Sequence, residues 1–239
     1  MKKIFLLALI LISGMLSTEL SVKANPVSAE AKPSFKTDRD GRSFSNIRTY
    51  MARYVKYPEG SDSFGLIGTT VVEFTVTTTG NVTDIKVLNS ISKSSDAEVI
   101  KVLKTTNGKW KPGSKNGSAS NMKTEVSVVF KPNVNYNLDA IALKSKTKGR
   151  KLMLEDKDYA KALKSYNKAV QLSPYELSFI AERGLCKYES GDVNGAMADW
   201  NRIVYLNKFD PMRFHFFPAH VDPALSSLKG FSKLKSMLQ

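Results

Sequence analysis

Two histidines and one cysteine are the side chains of this 239-residue chain best suited to metal or nucleophilic chemistry, and their spacing supports neither. His215 and His220 stand five apart with Pro218 between them, so they cannot share a helix face. No cysteine or cluster of carboxylates lies beside them to complete a tetrahedral site. Cys186 falls in a helix-like pattern with Leu185 and Tyr188, the setting of a small buried apolar residue rather than an activated thiol. Being alone, it cannot form an internal disulfide, so core packing must hold the fold. The chain has no Gly-x-Ser-x-Gly elbow, no phosphate-binding glycine loop and no Cys and His pair in motif context. The expectation is a chain that is not an enzyme and needs no cofactor or metal.

What remains is binding chemistry. The net charge is +14 and is shared evenly between the two halves. One run is dense, Lys144-Ser145-Lys146-Thr147-Lys148-Gly149-Arg150-Lys151, and it reads either as a solvated helix face or as a contact for an acidic partner or anionic polymer. No nucleic-acid recognition motif accompanies it, so nucleic acid is not expected as a partner. At the start, Met1-Lys2-Lys3 precedes an apolar run from Ile4 to Leu16, shorter than the ~20 residues a membrane helix needs. Residues 1–24 therefore read as a secretory signal peptide, cleaved after Ala24 (Val22-Lys23-Ala24) or after Ala29 (Val27-Ser28-Ala29). The expected location is the periplasm, with no integral membrane anchor after cleavage and with residues 25–34 as a short linker.

The elements from residue 35 to 133 alternate between two periods. Phe44, Ile47, Met51 and Tyr54 recur at helical spacing and Pro58 stops the helix. Val72, Phe74 and Val76 then alternate with Glu73, Thr75 and Thr77, as in a half-buried strand. Thr79-Gly80-Asn81 turns the chain into a second strand, Val82 to Leu88. Ser95 and Glu98 form a capping-box pattern for a helix that faces the sheet with Val99, Ile100 and Leu103 and ends at Asn107-Gly108. Val126, Val128 and Phe130 alternate in a last strand. The predicted unit is an α+β domain, two helices on a three-stranded antiparallel sheet.

Tyr57-Pro58, Gly68, the strand Thr69 to Val76, Gly80-Asn81-Val82, Ile85 to Leu88, Trp110 to Gly113, Asn116-Gly117 and Val126 to Phe130 occur in fixed order. This order resembles the C-terminal domain of the TonB family, periplasmic proteins that couple the inner membrane to outer-membrane receptors. The resemblance implies that the last strand, Thr124, Glu125, Val126, Ser127, Val128, Val129 and Phe130, offers an open edge to an extended receptor peptide. Strand addition of this kind draws affinity from main-chain bonds and selectivity from alternate side chains. Tyr57 and Pro58 match the family position near that contact, and they read equally well as a helix stop with a packed ring.

The second half repeats itself. A shift of 34 residues lays Asp158 on Asp192, Ala162 on Ala196, Tyr166 on Trp200 and Leu172 on Leu206, and this is similar to a pair of tetratricopeptide (TPR) repeats, about 143–176 and 177–210. In that alignment Arg150 stands opposite Gly184, and Lys157 opposite Gly191. Two repeats need completion, and residues 138–239 supply it with a capping helix predicted from Asp222 and Pro223 through Leu225, Leu228, Phe231, Leu234 and Leu238. A repeat groove would be lined by Lys144, Lys151 and Tyr188. The boundary between the two units falls between Lys131 and Leu138.

Two functions follow from these readings. One is an accessory in TonB-type outer-membrane transport and energy transduction, binding an outer-membrane receptor peptide by strand addition. The other is a TPR scaffold or adaptor in envelope assembly without energy coupling, with protein partners or an anionic envelope polymer. Fractionation with N-terminal sequencing should recover the mature chain in the periplasm, starting at Asn25 or Glu30; an intact Met1 in the inner-membrane pellet would show that the apolar run is an anchor.

Overall fold

The computed structural model describes residues 30–58, 66–132 and 135–239. The expected signal peptide and the Ala24 and Ala29 cleavage points lie outside the described residues. Four short strands, β1 (Glu30–Ala31), β2 (Ser34–Phe35), β3 (Thr37–Arg39) and β4 (Arg42–Phe44), lead into helix α1 (Ile47–Tyr54). Strands β5 (Gly68–Val76) and β6 (Val82–Asn89) precede helix α2 (Lys93–Lys104). Strands β7 (Trp110–Lys111), β8 (Gly113–Lys115), β9 (Ser118–Ser120) and β10 (Met122–Phe130) complete this part. The remainder is helical: α3 (Leu138–Leu154), α4 (Tyr159–Leu172), α5 (Leu177–Glu189), α6 (Val193–Phe209) and α7 (Phe231–Met237).

The central sheet is antiparallel in the order β10-β5-β6. Its strands form where period-two alternation sets apolar residues against a core, and β5 with β10 keep one register without a break from Met122 opposite Val76 to Phe130 opposite Gly68. Pairing of β6 is different. Its register shifts twice, and Asp84 adopts φ 49°, so this edge is bulged and bears Asp84 and Lys86. Three smaller pairings, β1-β8-β9, β2-β7 and β3-β4, were not anticipated from sequence. One of them uses the segment expected to be a linker, because Glu30 and Ala31 pair with Lys115 and Ser114.

Two helix assignments shift. In α1 the N-cap is Asn46, whose side chain accepts from the Arg48 amide, so Phe44 belongs to β4 and Tyr50 joins Met51 in the buried stripe. Helix α1 ends at Tyr54, before Pro58 could act on it. Ser92, three residues earlier than expected, caps α2, with Ser95 returning the bond to complete the capping box. Val99, Val102 and Leu103 are the buried apolar residues of that helix.

Alternation gives the sheet two buried faces. Val72, Phe74, Val76, Val126, Val128 and Phe130 meet α1 and α2 in one apolar core, closed by Trp110, whose ring packs on Phe35 and Phe74 and whose indole N–H donates to Thr106 Oγ1 at 3.0 Å. The residues between them face the helical part. Thr69 Oγ1 donates to the Leu172 carbonyl at 3.0 Å, and Asn89 Nδ2 to the Gln171 carbonyl at 3.1 Å. Glu125, its side chain 3% exposed, takes both arms of the Arg202 guanidinium, Nη2 at 2.8 Å, and the Tyr175 hydroxyl at 3.2 Å. Burial alone would lower the Arg202 pKa; the bonds and charge of Glu125 outweigh it and hold it raised.

The helical part has its own apolar core, in which α3 packs on α4, α4 on α5 and α5 on α6. Helix crossings rest on small residues against rings. A Cβ on Gly149 would stand 3.1 Å from the Tyr166 ring, and one on Gly184 2.2 Å from Trp200 Nε1. The partner of Gly184 in the first hairpin is therefore Gly149 rather than Arg150. The offset arises because four residues, Glu155 to Asp158, join α3 to α4, whereas three, Ser190 to Asp192, join α5 to α6. Lys157 (φ 53°) takes the left-handed place that Gly191 (φ 90°) fills in the second turn. The expected capping helix is broken: Asp222 caps a 3-10 turn, Pro223–Leu225, and α7 starts at Phe231, while Leu225, Leu228, Leu234 and Leu238 are all buried as the stripe requires. Cys186 is fully buried, and burial pushes its thiol up to about 12.

Removing one member of a buried ion pair typically costs about 3–5 kcal/mol, whereas replacing both with apolar side chains is often close to neutral. Arg202→Ala should therefore lower the urea midpoint strongly, and Glu125→Leu with Arg202→Met should recover most of the loss; equal losses in both variants would show that the pair does not join the layers. The Cys186 thiol should stay unreactive toward a disulfide reagent at pH 8 until the chain is unfolded, and stoichiometric reaction of the native protein would contradict its burial.

Candidate functional site

The described residues leave the outer edge of β10 without a strand partner, because β5 occupies the other side and the sheet ends there. An unpaired edge is a row of main-chain donors and acceptors, and nine residues in unbroken register keep that row straight. Val126, Val128 and Phe130 point into the core and hold the strand in place. Ser127 and Val129 point the other way, and Val129, one residue from the end of this edge strand, is 52% exposed.

Tyr57 comes to the same edge. Its ring meets Phe130 edge-on with centroids 5.9 Å apart, its hydroxyl donates to the Leu66 carbonyl, and it is 41% exposed. The structure thus brings the Tyr57 ring to the end of β10, where it is packed on Phe130.

Two clefts open along this edge and share Arg48, Ser127, Val129 and Lys131. The first, about 360 Å³, lies against α1 and is walled by Met51, Ala52, Val55 and Tyr57. The second, about 900 Å³, lies between β10 and the helical part, where Tyr136, Pro174, Tyr175 and Arg213 form its far wall. Arg213 sits over the rings of Tyr175 and Phe214, 4.9 Å from each centroid, and those two rings stack at 5.6 Å.

Not every residue assigned to the edge is free to meet a partner. Glu125 is committed to Arg202 and Tyr175, and Val126, Val128 and Phe130 are core residues, so Thr124, Ser127 and Val129 are what remains exposed or half-buried between Thr124 and Phe130. The groove assigned to Lys144, Lys151 and Tyr188 is not assembled. Tyr188 stacks on Trp200 at 5.8 Å and lies against Gly230, while Lys144 and Lys151 are exposed on the side of α3 opposite Ala142, Gly149 and Met153. The helical part instead has a cleft of about 160 Å³ that its own C-terminal segment helps to line, including Phe216, His220, Val221 and Asp222. There Arg150 donates to Glu182 and, at 2.6 Å, to Asp222, and Lys146 reaches Glu182 at 2.9 Å.

The remaining candidates have structural partners. His220 Nδ1 accepts from the Phe217 amide at 2.9 Å, and His215 lies beside the Phe217 ring. Arg202, Arg48, Arg213, Tyr136 and Tyr175 were not singled out from sequence. A cation in a helix carries no local sign of which distant strand it faces, and Arg202 is 77 positions from Glu125.

No helix among the described residues is long and apolar enough to cross a membrane. Among curated proteins nothing matches the chain. Residues 53–132, from the end of α1 to the end of β10, match the family described as Gram-negative bacterial TonB protein C-terminal.

Proposed function

We propose that this chain is a periplasmic protein-binding protein of the Gram-negative envelope that captures an extended peptide by strand addition to β10, as an accessory in TonB-type outer-membrane transport and energy transduction. The observation that carries this reading is the straight, unpaired outer edge of β10 inside the segment that matches the TonB C-terminal family. An outer-membrane receptor peptide is the partner this reading favours. Export by a cleaved signal peptide of residues 1–24 and a non-enzymatic role belong to the same proposal.

A second reading rests on α3 to α6. Their paired packing around Gly149 with Tyr166 and Gly184 with Trp200, together with the 34-residue spacing of Tyr166 and Trp200, supports a TPR pair completed by α7. On this reading the chain is a scaffold or adaptor in envelope assembly without energy coupling, and the lysines on the outer side of α3 are where an anionic envelope polymer would bind.

Ser127→Pro removes one main-chain donor from β10 and leaves Val126, Val128 and Phe130 in sequence. With the fold verified by circular dichroism, this variant should lose at least about tenfold in affinity, roughly 1.4 kcal/mol, for a partner recovered from envelope extract. A folded variant that binds as tightly as the parent would move the partner contact to the helical part and favour the scaffold.

A further inference from the structure

Asparagine followed by glycine occurs three times in the chain, at Asn107-Gly108, Asn116-Gly117 and Asn194-Gly195. This dipeptide has a chemistry of its own, because a glycine without a Cβ leaves its main-chain nitrogen open to the side-chain carbonyl carbon of the asparagine before it. Whether that nitrogen can attack depends on what already holds its N–H. All three asparagines are exposed, so exposure does not separate them.

The surroundings of the glycine amide do. Gly108 N–H donates to the Gly80 carbonyl at 3.0 Å, and Asn107 Oδ1 is itself occupied by the Val82 N–H at 2.9 Å. Gly195 N–H donates to Asp192 Oδ1 at 2.8 Å within the capped first turn of α6. Asn116 and Gly117 are the two central residues of the hairpin between β8 and β9, where Lys115 pairs with Ser118. Both have positive φ, 50° and 79°, as a two-residue hairpin turn requires. Beyond its chain neighbours, no atom lies within 4 Å of the place a Cβ on Gly117 would take. Among the described residues no hydrogen bond ties the Asn116 side chain or the Gly117 N–H.

We propose that Asn116-Gly117 is a modification site, the one of the three at which the native chain deamidates, and that the change loosens the tether of the N-terminal segment. Gly117 N gives up its proton to hydroxide and bonds to Asn116 Cγ; the Cγ–Nδ2 bond breaks, ammonia leaves, and a cyclic imide closes. Water then opens the imide. Breaking the bond between Gly117 N and Cγ gives an aspartyl residue, and breaking the bond to the main-chain carbonyl carbon gives an isoaspartyl residue, whose main chain runs through Cβ and Cγ. Either product places a carboxylate beside Lys115, and the second adds a carbon to a turn that has room for two residues. β8 is the middle strand of its small sheet. A hairpin that loses its register therefore also loses its hold on β1, whose Glu30 and Ala31 pair with Lys115 and Ser114.

The test ages the full chain at mildly alkaline pH, both folded and in concentrated urea, and follows the three Asn-Gly peptides by mass spectrometry after digestion. Native ageing should convert Asn116 at least about tenfold faster than Asn107 or Asn194, whose glycine amides must first open locally. Urea should bring the three rates together. Native conversion at Asn107 or Asn194 as fast as at Asn116 would overturn the proposal, and so would an equally strong preference for Asn116 in urea. Asn116→Gly keeps a sequence suited to the turn and has no side chain to deamidate, so it isolates the effect on the tether. Hydrogen exchange at Glu30 and Ala31 should quicken when the parent is aged and stay constant when this variant is aged. Exchange that is unchanged in a fully converted parent would overturn the link to β1.

Discussion

The Glu125–Arg202 pair sets the architecture, because it ties the strand that bears the open edge to the helices behind it. A carboxylate in the middle of a sheet face would ordinarily face water. Here it is enclosed, and the enclosure is tolerable because a guanidinium from α6 and the Tyr175 hydroxyl occupy its lone pairs. With that face covered, the sheet becomes the middle layer of three, with α1 and α2 on one side and α4 and α6 on the other. Each outer layer keeps its own apolar core, and the contact between them across the sheet is largely polar. The helical part is thereby fixed close enough to β10 to form a wall beside its edge.

Much of this was legible in the sequence where the signal is local and periodic. The alternation of Val72, Phe74 and Val76, and of Val126, Val128 and Phe130, placed β5 and β10 with the correct residues inward. The 34-residue spacing of Tyr166 and Trp200 found two helix pairs with equivalent rings at equivalent crossings. Short elements escaped. Strands of two or three residues such as β1 and β7 have no period to read, and what holds them is a distant partner, Lys115 for Glu30 and Phe35 for Trp110. The cap of α2 was misplaced because Ser92 and Ser95 are both good capping residues, and only the reciprocal bond between them decides which one ends the helix.

The candidate site was half legible for the same reason. Edge position follows from strand order, and the fixed order of Tyr57, Gly68, Trp110 and Phe130 carried it. Which edge residues remain available does not follow, because alternation shows that Glu125 leaves the core without showing that a second layer waits for it. The repeat groove failed on a related point. Tyr188 lies on a helix that would face a groove, but α7 and its approach through Gly230 fold onto that tyrosine and consume the surface.

Asymmetry between the two edges of the sheet also limits how the protein can assemble. β6 is bulged at Asp84 and loses register twice, whereas β10 is straight. Edge-to-edge growth into a fibre needs two competent edges per copy, one to receive and one to offer. With a single competent edge, pairing between copies closes at two by a twofold axis and stops there. The bulge thus acts as a chain terminator for polymerisation, and it lets the chain keep one sticky strand exposed without seeding aggregates.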